Sequence, residues 1–170
     1  MHLADPDRRE HFDSLQVSVR EFMTQAGQRL GRFDAGQASL YTGLQMEELA
    51  EKVEAITEGA LTPSIRNELQ RLSRLLHVYG NEFKKGRYVG AILRADHGKL
   101  IDADFDLAWV SIGALNSTSP NPSGAIAHGT YTNLDKFRNG CIKDANGKVQ
   151  KPADWQPPNF EPYTDKLVRD

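Results

Sequence analysis

Residues 44–56 read LQMEELAEKVEAI, a segment that combines an apolar stripe with a cluster of glutamates. Leu49, Val53 and Ile56 follow one another at steps of four and three, which places them on one face of a helix. The carboxylates of a second face are Glu47, Glu48 and Glu51. Like charges three or four residues apart cost an isolated helix about 0.2–0.5 kcal/mol per pair. The segment therefore predicts an amphipathic helix whose carboxylates face either open water or a bound cation.

A second acidic group lies in residues 100–109, which read LIDADFDLAW. Asp102 and Asp106 are four residues apart and therefore share one face of a helix, while apolar residues line another face. The apolar run continues to Leu115, so the sequence predicts a mostly buried helix here. Asp is seldom buried without a partner. If the two acidic faces converge, their oxygens form a hard ligand set that suits Mg²⁺ or Mn²⁺.

Composition limits the class of protein. The 170 residues suffice for one domain with a sizeable core, and the net charge of -2 with a pI near 6.2 gives no electrostatic footprint for a nucleic acid polymer or an anionic membrane. The single Cys141 excludes an internal disulfide and is compatible with a reducing compartment. Residues 1–7 lack the pattern of a signal peptide, and the longest apolar stretch is too short to span a bilayer. We therefore expect a soluble, cytoplasmic protein.

The remaining helices are predicted from the same periodicity. A first helix covers about Asp7 to Leu30, and Gly59 is expected to end the acidic helix. Thr62 followed by Pro63 is a typical helix start, with Thr as N-cap and Pro at the first helical position. Gly80 is expected to end this third helix. The pattern as a whole predicts an all-α fold.

The C-terminal part of the chain differs in composition. Residues 116–123 are rich in Asn, Ser, Thr and Pro and predict a loop, and repeated prolines keep the last stretch out of regular helix. The aromatic residues among these prolines are Trp155, Phe160 and Tyr163. They argue against disorder, because aromatic side chains normally pack on a surface. We expect one domain, with a helical metal-binding bundle over residues 1–120 and a proline-rich extension over 121–170 that packs on the bundle or on a neighbouring subunit.

Several pieces of the sequence, taken in order, resemble the all-α nucleotide pyrophosphohydrolases of the MazG and phosphoribosyl-ATP pyrophosphohydrolase superfamily, particularly the short phage forms. They are VREFM (19–23), the EExxE metal motif within 44–51, the aspartate-bearing helix 102–109, and the tail pieces NLDKF (133–137), DANGKV (144–149) and PPNF (157–160). Two features depart from the family pattern. Ala103 stands where a glutamate is usual, so its role passes to Asp102, and the separation between Glu51 and Asp102 is long, which implies an inserted helix within residues 61–98.

The resemblance implies a MazG-like bundle that hydrolyses a (d)NTP to a (d)NMP and pyrophosphate with Mg²⁺ or Mn²⁺, at two or more ions per site. One phage branch, MazZ, acts on (d)GTP, which makes (d)GTP a candidate substrate. The implied roles are catalysis by Glu47, Glu48 and Glu51, metal binding by Glu48, Glu51, Asp102 and Asp106, and substrate binding by Asn133 and Lys136. The resemblance also implies a homodimer or homotetramer, no nucleic acid polymer or membrane as partner, and the host cytoplasm as location if the chain is phage-encoded.

Other functions compete with this interpretation. A phosphoribosyl-ATP pyrophosphohydrolase is the nearest enzymatic rival, and the phage-like tail counts against it. A non-catalytic helical module that binds nucleotide or protein would share the apolar stripes but would not need two acidic faces. A ferritin-like di-metal oxidoreductase requires Glu-x-x-His pairs in its bundle, and no histidine of this sequence follows a glutamate at that spacing.

Overall fold

The computed structural model describes residues 6–145 and 147–164, with side chains described from Leu15 onward, and this part of the chain is predominantly helical. Its helices are α1 (Pro6–Gln25), α2 (Ala35–Thr57), α3 (Pro63–Lys84), α4 (Val89–Arg94), α5 (His97–Thr118) and α6 (Pro122–Leu134), followed by short 3-10 helices at Asp135–Phe137 and Glu161–Tyr163. Within these ranges the β-type pairing is a single bridge, with Lys143 and Val149 as the bridge residues. The prediction of an all-α fold is confirmed.

The first helix is shorter than its periodicity predicts. It ends at Gln25, because Gly27 has a positive φ of 58° and turns the backbone away from the helical path. The N–H of Gln28 donates to the carbonyl of Met23 at 2.8 Å and closes the last turn. A left-handed glycine after the last helical residue is a typical helix end, so the apolar pattern that continues to Leu30 lies outside the helix.

The chain divides into two compact units. The first contains α1, α5, α6 and the C-terminal segment from Val149, and the second contains α2, α3 and α4 together with residues 143–148. In the second unit α2 and α3 form a helical hairpin. The Asp34 side chain caps α2 by accepting a hydrogen bond from the Gln37 N–H at 2.9 Å, and Thr62 precedes Pro63 at the start of α3 as predicted.

The two helices of this hairpin touch at a pair of glycines. A Cβ on Gly43 would lie 2.5 Å from the carbonyl oxygen of Gly80, and one on Gly80 would lie 2.9 Å from the carbonyl oxygen of Gly43. Beside this crossing the buried Ser39 hydroxyl donates to the carbonyl oxygen of Phe83 at 2.7 Å. The prediction that Gly80 ends α3 is wrong: the helix continues to Lys84, and Gly80 is the position where the neighbouring backbone approaches.

The buried face of α2 differs from its predicted apolar stripe. Ala50 and Val53 are buried, but Leu49 and Ile56 keep 47% and 51% of their surface exposed. Because the helices approach so closely, the contact face uses small residues rather than large ones. On α3, Leu72 and Tyr79 each precede a residue that faces α2, and both are exposed at 43% and 49%. The hairpin therefore exposes large apolar side chains that are not part of the contact between α2 and α3.

Helix α5 was expected to be mostly buried, and this is wrong for the chain on its own. None of its residues is buried, and Ile101 and Trp109 are 71% and 67% exposed. The helix begins at His97, and the Asp96 carboxylate caps it by accepting hydrogen bonds from the backbone N–H groups of Gly98 and Lys99 at 3.0 and 3.2 Å. In the described ranges, no helix combines the length and apolarity that crossing a bilayer requires.

The C-terminal segment packs on α6. Gly129 of α6 leaves room for the Phe160 ring, whose nearest carbon would lie 3.3 Å from an added Cβ. His128 contacts the rings of Phe160 and Tyr163 at centroid distances of 5.9 and 5.7 Å, and its Nε2 accepts a hydrogen bond from the Asn159 N–H at 3.2 Å. The aromatic residues of this segment are thus in contact with the helical part of the same chain.

Candidate functional site

The predicted site residues are not gathered in one place, and the first place is that of Glu47 on α2. Its Oε1 accepts a hydrogen bond from the Lys84 ammonium and its Oε2 one from the Lys148 ammonium, each at 2.9 Å. The side chain of Lys84 is 11% exposed, that of Glu47 is 22% exposed and that of Lys148 is 42% exposed. Both carboxylate oxygens therefore bind protein cations, and Glu47 joins α2 to the end of α3 and to the turn that carries Lys148.

This pairing sets the protonation of Glu47. Partial burial raises the pKa of its carboxyl group, but hydrogen bonds and charge attraction from Lys84 and Lys148 lower it by more, so that the pKa lies below its ordinary value. The carboxylate stays ionised at neutral pH and is already engaged. In this arrangement Glu47 has the role of an anchor between helices.

The second place is the exposed face of α2. Glu48 and Glu51 are one helical turn apart and both are exposed. They belong to the second unit, whereas Asp102 and Asp106 lie one turn apart on the exposed surface of α5 in the first unit. Among the side chains that the structure describes, those of residues 15–145 and 147–164, no group of three or more His, Cys, Asp or Glu is arranged to hold a metal ion. The proposed ligand set stays a prediction.

Asn133 and Lys136 define the third place, at the end of α6. The Lys136 ammonium donates to Asn133 Oδ1 at 2.6 Å, so the structure brings these two predicted substrate-binding residues together. The same ammonium lies 5.9 Å from the ring centroid of Phe22 and 5.3 Å from that of Trp155. Such distances are typical of cation–π contacts. Lys136 is thus held by the protein rather than extended into solvent.

The indole of Trp155, which Lys136 contacts, is held by hydrogen bonds. Its Nε1 donates to the carbonyl oxygen of Thr132 at 3.0 Å, and its backbone N–H donates to the carbonyl oxygen of Pro152, also at 3.0 Å. A second ammonium, that of Lys151, lies 4.5 Å from the ring centroid. Two lysines therefore converge on one aromatic ring.

The acidic residues nearest in sequence to these lysines are bound by an arginine. Arg138 pairs with Asp135 at 3.1 Å and with Asp154 at 2.6 Å. The hydrogen bond from the guanidinium of Arg138 holds the pKa of Asp154 below its ordinary value. Both carboxylates are therefore ion-paired with Arg138.

A cavity of about 220 Å³ opens next to Asn133 in the first unit. Its lining is mostly apolar and comes from α1, α5, α6 and the C-terminal segment, with Thr130 and Asn133 as polar members. The apolar lining residues are Leu15, Ile112, Leu115, Ala125, Ile126, Gly129 and Phe160. An apolar cleft with a few polar groups is the usual form of a small-molecule site.

Sequence reasoning missed the two lysines that bind Glu47, Lys84 and Lys148. Lys148 lies 101 positions from Glu47, and no local pattern can indicate a pair so distant in sequence. Apart from these places, His77 Nε2 lies 3.0 Å from Glu54 Oε1, which also accepts a hydrogen bond from the buried Ser73 hydroxyl. These bonds, with that from Ser73 the strongest, lower the pKa of Glu54.

Comparisons of the chain with models of protein families, with curated proteins and with solved structures found no match.

Proposed function

We propose that the protein is a metal-dependent nucleoside triphosphate pyrophosphohydrolase that converts a (d)NTP, with (d)GTP as the first candidate, to a (d)NMP and pyrophosphate. The observation that carries this proposal is the position of Glu48 and Glu51, exposed one turn apart on a helix whose other face is locked against α3. A rigid helix that presents two carboxylates to solvent is a suitable support for a divalent cation.

Helix α2 can supply part of the ligand set that Mg²⁺ requires. Mg²⁺ is usually bound by one or two carboxylates, with water and substrate phosphates as the remaining ligands. Glu48 and Glu51 would supply two such carboxylates, and Asp102 and Asp106 are the further ligands that the resemblance implies. Glu47 is poorly placed to bind a metal ion, since Lys84 and Lys148 bind its two carboxylate oxygens. Bound metal would neutralise the phosphoryl oxygens and lower the pKa of the attacking water.

The residues at the end of α6 support a role in substrate binding. Lys136 supplies a positive charge that its contacts with Asn133 and two aromatic rings hold in place. The neighbouring cavity, with its apolar lining and the polar groups of Thr130 and Asn133, has the character of a site for a planar heterocycle such as a nucleobase. Binding would thus combine an apolar contact with the base and a cationic contact with phosphate.

Exposed apolar surface supports the expectation of a homodimer or homotetramer. Leu72, Phe105 and Trp109 keep 43%, 56% and 67% of their surface exposed on two different helices. Monomeric proteins rarely expose such large side chains in groups, and helices with an uncovered apolar stripe commonly pack on a second copy.

The proposal is tested by incubating the purified protein with each common ribo- and deoxyribonucleoside triphosphate in Mg²⁺ or Mn²⁺ and by measuring pyrophosphate. We expect Glu51→Gln and Asp106→Asn to lose turnover while the helical circular dichroism persists. Two control variants, Glu58→Gln at the C-cap of α2 and Asp104→Asn on α5, should keep activity. Full activity in the first two variants would show that the ligands are misassigned, and inactivity of the unmodified protein on every triphosphate would refute the proposed reaction.

A helical interaction module is the second candidate, and the exposed apolar faces of α3 and α5 favour it. The two functions differ in their response to nucleotide. In calorimetry with Mg²⁺ and a non-hydrolysable triphosphate, the hydrolase should show saturable binding, whereas a module that binds only protein should show none. A phosphoribosyl-ATP pyrophosphohydrolase would release pyrophosphate from phosphoribosyl-ATP in preference to ordinary triphosphates.

A further inference from the structure

We propose that Lys84 and Lys148, which share the carboxylate of Glu47, form a binding site for a phosphoryl group at the C-terminal end of α3. Neither the sequence motifs nor the resemblance assigns a ligand to either lysine. The site does not depend on the reaction proposed above, because a free phosphate ion and a phosphate ester both carry the group that it recognises. Glu47, Lys84 and residues 143–148 all belong to the second unit, so the site is complete within it.

The first argument is that one anionic group already contacts both ammoniums. The Lys84 ammonium donates to Oε1 of Glu47 and the Lys148 ammonium donates to Oε2, each at 2.9 Å. Since the two oxygens belong to one carboxylate, the two ammoniums lie on either side of a group that is two bonds wide. The oxygens of a phosphoryl group have a similar spacing. A phosphoryl group can therefore contact both ammoniums from the side opposite to Glu47.

The second argument is the balance of charge. Within the part of the chain that the structure describes, Glu47 is the ion-pair partner of both Lys84 and Lys148, and neither lysine pairs with another carboxylate. Two positive charges therefore share one negative charge. An anion that contacts both ammoniums would complete a ring of alternating charges and would reduce the repulsion between the two lysines.

The third argument is the number of hydrogen-bond donors. An ammonium has three N–H donors, and Lys84 and Lys148 each give one of them to Glu47. The side chain of Lys84 is only 11% exposed, so its remaining donors have limited access to water, whereas Lys148 is 42% exposed and opens the site to solvent. Donors in such a partly dehydrated place bind an anion more strongly than donors on an open surface.

The charges around the site act in the same direction. At the end of α3, Glu82 pairs with Lys85 at 3.5 Å and with Arg87 at 2.5 Å, so here too one carboxylate serves two cations. The surplus of positive charge at this end of the hairpin exceeds the roughly half negative charge that the last carbonyl groups of a helix contribute. A positive potential of this kind raises the local concentration of anions.

The position of Lys148 is set by its turn. The N–H of Asp144 donates to the Lys148 carbonyl at 2.9 Å, and the N–H of Lys148 donates to Asp144 Oδ1 at 3.0 Å. Gly147 allows this turn through its positive φ of 83°. Since the turn is held by hydrogen bonds before a ligand arrives, less conformational entropy is lost when the ligand binds.

The site is tested by titrating the full-length, ¹⁵N-labelled protein with inorganic phosphate at constant ionic strength. We expect saturable shifts of the amide signals of Gly147, Lys148 and the end of α3. Lys148→Gln should raise the apparent Kd about three- to tenfold, and Lys148→Arg should restore most of the affinity. Lys143→Gln removes an exposed lysine of the same turn and should change the Kd by less than about twofold. Equal Kd values for Lys148→Gln and Lys143→Gln would overturn the proposal.

Glu47→Gln should change the affinity in the opposite direction. It removes the negative charge that competes with the ligand and keeps the shape of the side chain, so phosphate should bind about three- to tenfold more tightly. Because a ligand of the folded state stabilises that state, phosphate should also raise the urea midpoint of Glu47→Gln more than that of the unmodified protein. Lysines with a purely structural role predict no such rescue, and an equal effect of phosphate on both proteins would contradict the site.

Titration with a nucleoside 5′-monophosphate distinguishes the two sources of the phosphoryl group. A Kd equal to that of inorganic phosphate would assign the site to the free ion, whereas tighter binding that still depends on Lys148 would assign it to a phosphate ester. The absence of saturable shifts with both ligands would refute the site. None of these outcomes depends on hydrolysis, so the site and the proposed reaction can fail separately.

Discussion

Replacing Gly43 by alanine is a direct test of the close crossing between α2 and α3. The new methyl group would lie 2.5 Å from the Gly80 carbonyl oxygen, 2.7 Å from Lys84 Cγ and 2.9 Å from the Lys84 backbone nitrogen. Ordinary contacts of a methyl carbon are longer than 3.4 Å, so the helices must separate by nearly 1 Å. Two of the three atoms are backbone, which cannot turn aside as a side chain would.

The expected loss of stability has two opposing parts. Overpacking costs about 1–3 kcal/mol, and a 2.5 Å approach to a backbone oxygen belongs in the upper part of this range, at about 2–3 kcal/mol. Alanine in place of glycine in a helix gains about 0.5–1 kcal/mol. The net loss should be about 1–2 kcal/mol, and separation of the helices would also stretch the 2.7 Å bond between Ser39 and the Phe83 carbonyl. This loss corresponds to a factor of about 5–30 in the equilibrium between closed and open states.

Hydrogen exchange measures this change where it occurs. Amides of α2 and α3 should lose protection by that factor, while those of α6 in the other unit should not change. Gly113→Ala is the matched control, because Gly113 also lies inside a helix but has no atom within 4 Å of an added Cβ. It should be neutral or stabilising by up to about 1 kcal/mol. If Gly43→Ala protects α2 and α3 as well as the unmodified protein does, the close crossing is refuted.

Two further predictions concern charge and assembly. Glu47→Gln should reduce the stability of the α2–α3 hairpin by about 1–3 kcal/mol at pH 7, because it leaves the 11% exposed Lys84 without its counter-charge. Since the folded pKa of Glu47 lies below its ordinary value of 4.5, the carboxylate stabilises the fold above about pH 4.5 and loses this effect as the pH falls through the folded pKa; urea unfolding should therefore depend less on pH in the variant. For the proposed homo-oligomer, Leu72→Asp should lower the mass measured by light scattering toward that of a monomer. Asn67→Asp, an exposed change of the same charge on the same helix, should leave the mass unchanged, and one mass for both variants would contradict an interface at Leu72.

The sequence predicted the helical class of the fold and several helix starts because these depend on local residues. Periodicity locates α2, and the pair Thr62 and Pro63 locates the start of α3. The buried side of α2 was predicted wrongly, since hydrophobicity ranks Leu49 above Gly43 although backbone contact requires the smaller residue. A glycine such as Gly80 can end a helix or can allow another helix to approach closely. The sequence around it is the same in both cases, so the packing of the second helix is needed to distinguish them.

The candidate site was less predictable than the fold. The pair Asn133 and Lys136 was found, because the two residues are three positions apart at a helix end. The lysines that bind Glu47 were not found, because their partner is 37 and 101 positions away in the chain. The apolar run of α5 predicted burial. An apolar helix face has the same sequence pattern whether it packs against its own chain or against a second copy, so the pattern does not tell which of the two buries it.

The ion pair between Lys148 and Glu47 forms later during synthesis than the one between Lys84 and Glu47. Lys84 leaves the ribosome about 64 residues before Lys148, which at common rates of synthesis amounts to roughly 3–13 seconds. During that interval the α2–α3 hairpin can close with one ammonium on Glu47, since its contacts are near in sequence and form early. The Lys148 ammonium then binds Glu47 in a helix pair that has already formed. The turn that carries Lys148 therefore joins the hairpin late in synthesis.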